Sequence, residues 1–181
     1  MFVWILAGVR QFPTKYRYFF LILALNDPLG KLLLFVIPPE NLNYIHPITS
    51  FLLFYSTLFF DEDKSEKFLA YFLPIAIIGT YFITNQIEPF FVVIHIFIFI
   101  KLFKIATLHL FNKNKFSIFK YMFVFYELTI MINILLKYLE NEQYYFLFFF
   151  TLGFQMLIGI FFTVVREDKM NLEYSLNLNL S

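Results

Sequence analysis

The stretch Phe90–Phe111, FFVVIHIFIFIKLFKIATLHLF, decides how the chain is read. Only His95, Lys101, Lys104, Thr107 and His109 interrupt it, so a helix built from it is apolar on nearly every face. A soluble helix keeps one polar side and breaks its apolar run every few residues. A helix that crosses a bilayer needs about 17–25 consecutive, mostly apolar residues. This run has the second character, and others like it follow one another along the chain. Of the 181 residues, 60% are hydrophobic and 15% charged, against about 45–50% and about 25% in soluble domains. The solvent implied is lipid, and the implied fold class is an all-α, polytopic integral membrane helical bundle.

The punctuation between runs divides residues 1–181 into one transmembrane domain of six full transmembrane helices plus a short N-terminal apolar segment. That segment, residues 2–9, is too short to span. No cleavable signal peptide is expected there, because it lacks a basic leader and a small-residue cleavage site. The full helices are expected at about 18–37, 45–60, 68–84, 90–111, 116–136 and 144–165, ahead of a short polar tail at 166–181. Pro38-Pro39 ends the first of them, because proline has no N–H and cannot continue a helix. Asp61-Glu62-Asp63-Lys64, Asn112-Lys113-Asn114-Lys115 and Glu140-Asn141-Glu142 read as solvated loops. A membrane β-barrel would show two-residue alternation in short segments; these runs are apolar throughout, so helices are predicted.

Charge then orients the bundle. Assigned alternately to the two sides, the loops put Arg10, Lys15, Arg17, Lys64, Lys67, Lys101, Lys104, Lys113, Lys115, Lys120, Arg166 and Lys169 together. The opposite side receives Lys137, and Lys31 lies inside a helix. Short loops rich in Lys and Arg stay in the cytoplasm, so the N-terminus is expected outside and the C-terminus inside. A net charge of +1 provides no field for nucleic acid, and the absence of cysteine excludes disulfides and thiolate chemistry. The abundance of Phe, Ile, Asn, Lys and Tyr, all with AT-rich codons, points to an AT-rich bacterium and hence to a bacterial inner membrane. The phenylalanine runs are read as lipid-facing filler.

Polar groups carried into the bilayer are costly, about 2.5–3.5 kcal/mol for a charge at the centre of a helix. The intramembrane set is Asp27, Lys31, His95, Glu127, Asn133 and Gln155. Asp27 and Lys31 are spaced i,i+4 and share a helix face, where they can neutralise one another. The string Asn26-Asp27-Pro28-Leu29-Gly30-Lys31 is also expected to break its helix, because Pro28 frees the carbonyl of Ala24; broken helices at membrane depth face protein or a wet cavity. Glu127 has no charged neighbour in its own helix and must be protonated, face water, or pair with Lys31 or His95. Thr151, Gln155, Gly159 and Thr163 form a small, polar stripe suited to close helix packing.

No Gly-rich phosphate loop, G-x-S-x-G, H-E-x-x-H or metal-ligand spacing occurs, so no cofactor or metal is expected. In size, topology and the short charged tail Arg166-Glu167-Asp168-Lys169, the chain resembles the membrane input domains that precede some sensor kinases. That resemblance implies a non-enzymatic sensor or input module, or a complex subunit, with the lipid bilayer and another membrane or signalling protein as partners. Two other classes stay open: a small transporter or proton-coupled carrier using Asp27, Lys31 and Glu127, and an intramembrane lipid-acting enzyme with Asp27 and Glu127 as acid and base.

Overall fold

A computed structural model describes residues 2–33, 35–36, 45–60, 88–139, 144–169 and 172–175, without the side chains of Asp27, His46 and Lys137 among others. The helix expected at 68–84 lies outside these residues. The described elements are α1 (Phe2–Gln11), α2 (Arg17–Leu33), α3 (Ile45–Thr57), α4 (Glu88–Lys113), β1 (Lys115–Ser117), α5 (Ile118–Leu139), α6 (Tyr144–Val164) and β2 (Glu173–Ser175). The six helices close into a ring in which α1 packs on α2 and α6, α3 on α2 and α4, and α5 on α4 and α6.

Three of these helices are long and apolar enough to cross a membrane: Phe91–Lys113, Ile118–Leu136 and Tyr145–Val164. Their outward faces fit that solvent, with Phe146 74%, Phe149 65% and Phe150 62% exposed on α6 alone. Six such helices are predicted from the sequence. The observed α2 has 17 residues and α3 has 13, both shorter than their apolar runs, and the reasons are local. After α2 the amides of Phe35 and Val36 bond three residues back, to Leu32 and Leu33, a tight turn ahead of the two prolines. At the end of α3 the hydroxyls of Ser56 and Thr57 bond the carbonyls of Leu53 and Phe54 at 2.6 and 2.7 Å. These side chains compete for the helix's own acceptors, and the chain tightens into i−3 turns through Phe60.

Two further expectations are corrected. Pro28 sits inside a continuous α2 rather than breaking it, and Asn26 turns its side-chain oxygen outward to accept a bond from Thr49 of α3 at 2.9 Å. The helix expected from residue 116 starts later: β2 pairs antiparallel with β1, Lys115 opposite Ser175 and Ser117 opposite Glu173. The turn into β1 is made by Asn114 at φ 50°, a left-handed position that asparagine tolerates better than most residues. Phe116 and Ser117 therefore belong to a strand, and α5 begins at Ile118.

The short α1 is wedged between α2 and α6 by glycines. A Cβ on Gly159 would come within 2.6 Å of Val3 Cγ1, and one on Gly8 within 3.0 Å of Ala24 Cβ. The wedge is locked by Gln11, fully buried, whose amide donates to Phe162 O at 2.7 Å and Val165 O at 2.6 Å. These are carbonyls that the end of a helix leaves without intrahelical partners. Thr163 and Gly159 of the predicted stripe thus face α1, and Thr151 bonds Asn133 of α5. Phenylalanine is not only lipid-facing filler either: Phe19, Phe20, Phe60, Phe119, Phe123 and Phe162 are buried together in the core.

Candidate functional site

On α4 the buried positions Ile94, His95, Ile98, Lys101, Leu102, Ala106 and His109 recur at three- and four-residue steps. They form the helix's inner stripe. His95 lies on that stripe towards the start of α4. Facing it, α5 buries Phe123, Val124, Tyr126 and Glu127, and α3 buries Ser50. The result is a hydrogen-bonded chain across three helices. His95 Nδ1 lies 2.5 Å from Glu127 Oε1, and His95 Nε2 lies 2.9 Å from Ser50 Oγ. Ser50, His95 and Glu127 are 3%, 2% and 0% exposed. The ring of Phe91, one turn earlier, covers the imidazole edge-on at 4.6 Å.

Elementary chemistry limits what this chain can hold. A nitrogen and a carboxyl oxygen at hydrogen-bond distance must have a proton between them, given either by Nδ1–H to a carboxylate or by a carboxyl O–H to Nδ1. When the imidazole is neutral with its proton on Nδ1, Nε2 accepts from the Ser50 hydroxyl. When the ring carries both protons, Nε2–H donates to Ser50 Oγ instead. One added proton therefore reverses the Ser50 bond. The other carboxyl oxygen, Glu127 Oε2, is buried and has no hydrogen-bond partner among the described residues.

The order hydroxyl–imidazole–carboxylate is that of a hydrolase triad, but the surroundings are not. Ser50 sits inside α3, where backbone N–H groups are consumed by the helix and cannot assemble an oxyanion hole. The arrangement can hold and orient a proton between Nδ1 and Oε1.

Of the sequence-predicted set, the structure joins only His95 and Glu127. Lys31 is exposed on α2 and is not part of the chain. The side chain of Asp27 lies outside the described residues. Asn133 accepts from Thr151 at a separate α5–α6 contact. Gln155, half-buried on α6, makes no hydrogen bond with the described residues. Among the described side chains the set divides into a pair and a separate bond, because each residue's face, and not only its depth, decides what it meets. Lys101, expected to snorkel to the headgroups, is 8% exposed on the inner stripe.

Ser50 was not singled out from the sequence, since one hydroxyl in an apolar helix carries no distinguishing mark. His109, near the end of its apolar run, carries no such mark either. In the fold it anchors a second polar site at the other end of α4. Lys120 Nζ donates to His109 Nδ1 at 2.6 Å, which leaves the ring proton on Nε2, 2.9 Å from Glu173 Oε1. Glu173 also accepts from Lys115 at 3.2 Å. Burial works to raise the Glu173 carboxyl, but the bond from Lys115, the charge of Lys115 and the neighbouring imidazole of His109 outweigh it and hold it below the usual glutamate value. The signal that could have found His109 is its register: it shares the inner stripe with His95. No group of His, Cys, Asp and Glu able to hold a metal occurs among the described residues.

No family model matches the chain, and neither a curated protein nor a solved structure resembles it closely enough to be matched.

Proposed function

We propose that the chain is a non-enzymatic, membrane-embedded input module or complex subunit of a bacterial inner membrane, and that it responds through the proton held between His95 and Glu127. One observation carries this: α4 bears the buried pair near one end and the clamp on the C-terminal segment near the other. At about 1.5 Å per residue the two histidines stand roughly 21 Å apart along a single helix. A change in the hydrogen bonds at His95 shifts α4 against α3 and α5, and β2 moves with its far end. The C-terminal segment is then the output, and a signalling partner reads it.

The topology that goes with this proposal has six full crossings, the N-terminus outside and the C-terminus in the cytoplasm. Two observations support it. Neighbours α3 and α4 run in the same direction, since Ser50 meets His95 and Phe54 meets Phe97, so the chain between them has to return to its starting side. Lys15, Lys115 and Lys120 also gather at one end of the bundle with Glu167 and Glu173, as the one-sided distribution of basic loops requires.

The test uses a chain that has no cysteine of its own. A spin label on Tyr174→Cys, in reconstituted vesicles, reports the docking of β2 across a pH titration. Glu127→Gln keeps an acceptor for His95 but cannot exchange a proton, so it should remove one titration step while helical content stays unchanged. Identical titrations in the two proteins would sink the proposal.

A proton-coupled carrier is the second reading, favoured by Glu127 Oε2, which is buried without a partner among the described residues and open to a further proton donor. Loss of proton uptake into vesicles on Glu127→Gln would support it, and unchanged uptake would remove it.

A further inference from the structure

At the end of the bundle where α1, α4 and α6 finish, basic side chains outnumber the acids that meet them. Lys120 Nζ lies 3.6 Å from Glu167 Oε1, and Lys15 Nζ lies 4.0 Å from Glu167 Oε2. Glu173 lies between His109 and Lys115, at 2.9 and 3.2 Å. Lys113 is close enough to act on both His109 and Lys120. Among the described residues, the four ammonium groups of Lys15, Lys113, Lys115 and Lys120 therefore gather around two carboxylates. Lys15 and Lys115 are half-exposed at the rim, but the side chains of Lys120 and His109 at its base are 10% and 6% exposed, which strengthens attraction for an anion there relative to open water.

Depth suggests which anion. His109 lies near the end of the span Phe91–Lys113 and Lys120 near the start of Ile118–Leu136, so the cradle sits where headgroups begin. Of its present acids, Glu167 stands in the turn that follows α6, and Glu173 arrives on a segment held by a three-residue ladder and the bond from Ile118 N to Leu172 O. A two-stranded pair of that length is marginal by itself, so the segment can leave without any helix unfolding.

We infer that this cradle is a binding site for the headgroup of an anionic phospholipid, which Glu173 occupies as a displaceable internal ligand. The headgroup phosphate supplies the negative charge the cradle lacks, and basic side chains near an anionic surface gain about 1 kcal/mol each. The inference stands on the cradle and does not depend on the proton held by His95 and Glu127.

Tyr174 is 58% exposed and makes no ion pair of the cradle, so a spin label on Tyr174→Cys reads the segment without touching the site. The full chain is placed in nanodiscs of phosphatidylcholine alone and of phosphatidylcholine mixed with phosphatidylglycerol. The ratio of mobile to immobile label should rise on the order of tenfold in the mixed discs. In Lys115→Gln/Lys120→Gln that lipid dependence should disappear, with circular dichroism confirming the helices. Equal immobilisation in both discs, or a label mobile in both, would overturn the inference. So would equal release in phosphatidylcholine discs by inorganic phosphate, which assigns the site to a soluble anion, or by sodium chloride, which reduces it to screening.

Discussion

Near the end of the bundle where α6 finishes, the interior is made of rings; towards the opposite end it is made of hydrogen bonds. In the first region Phe123 meets Tyr16, Phe19, Phe20, Phe60, Phe119 and Phe162 at centroid distances between 4.7 and 5.5 Å. Those rings come from α2, α5, α6 and the segments flanking α2 and α3, and they approach edge-on or tilted, as aromatic quadrupoles prefer. In the second region Asn26 meets Thr49, Ser50 meets His95, His95 meets Glu127 and Thr151 meets Asn133. The aromatic region gains from filling space, and any ring of similar volume serves. The polar region gains from pairing, and each group names its partner. In lipid neither gains from leaving water, so close packing holds the first together and the cost of a lost partner defines the second.

Four experiments break or sharpen that contrast. The largest effect is expected from Phe123→Ala, which empties the centre of the rings. Phe→Ala in cores costs about 3–5 kcal/mol, and the lower end applies here because the ring would otherwise sit among lipid chains. Unfolding in a detergent titration should show it, and a shift under about 1 kcal/mol would mean that the rings do not hold this region together.

Gln11→Ala comes next. It strips two bonds from the end of α6 and is expected to cost about 1–3 kcal/mol, with faster amide exchange at residues 162–165. Unchanged exchange there would show that α1 does not cap α6.

In the polar region, Glu127→Ala leaves the imidazole of His95 without its partner and should cost more than Glu127→Gln, which keeps an acceptor. Membrane polar contacts average about 0.6 kcal/mol, so the isosteric change should stay within about 1 kcal/mol. If Glu127→Gln destabilised as much as Phe123→Ala, the division into a filling region and a pairing region would fail.

The smallest effect concerns the clamp. A carboxyl held below its unfolded value, about 4.3 for glutamate, contributes stability that is complete above that value and is lost as pH falls through the folded one. Exchange of the β1 and β2 amides, corrected for intrinsic rates, should therefore be flat above about pH 5 and rise on further acidification. Glu173→Gln should flatten the profile; a profile that stayed steep would assign the acid sensitivity elsewhere.

How much was legible beforehand differs between these regions. His95 and Glu127 stood out because a titratable group in an apolar run is conspicuous, and pairing with His95 was among the options open to Glu127. Ser50 carried no such signal, for a hydroxyl in a membrane helix can satisfy itself on its own backbone. Lys31 matches His95 in depth and Gln155 matches Glu127, but depth is a one-dimensional coordinate, and the face that each helix presents depends on its neighbours. The continuity of α2 through Pro28 and the end of α3 at Thr57 likewise depend on side-chain bonds that local propensity does not contain.

Composition and periodicity by themselves determined the helical class, the apolar solvent and which ionisable groups would be carried into it, because transfer cost is a property of each residue summed along the chain. Partnership was decided only in three dimensions. Whether Glu127 finds Lys31 or His95, whether a phenylalanine meets lipid or another ring, and whether Glu173 hangs free or closes on His109 depend on helix rotation and register. Those are set jointly by every contact in the ring of helices, from the glycines under α1 to the strand that closes on Lys115.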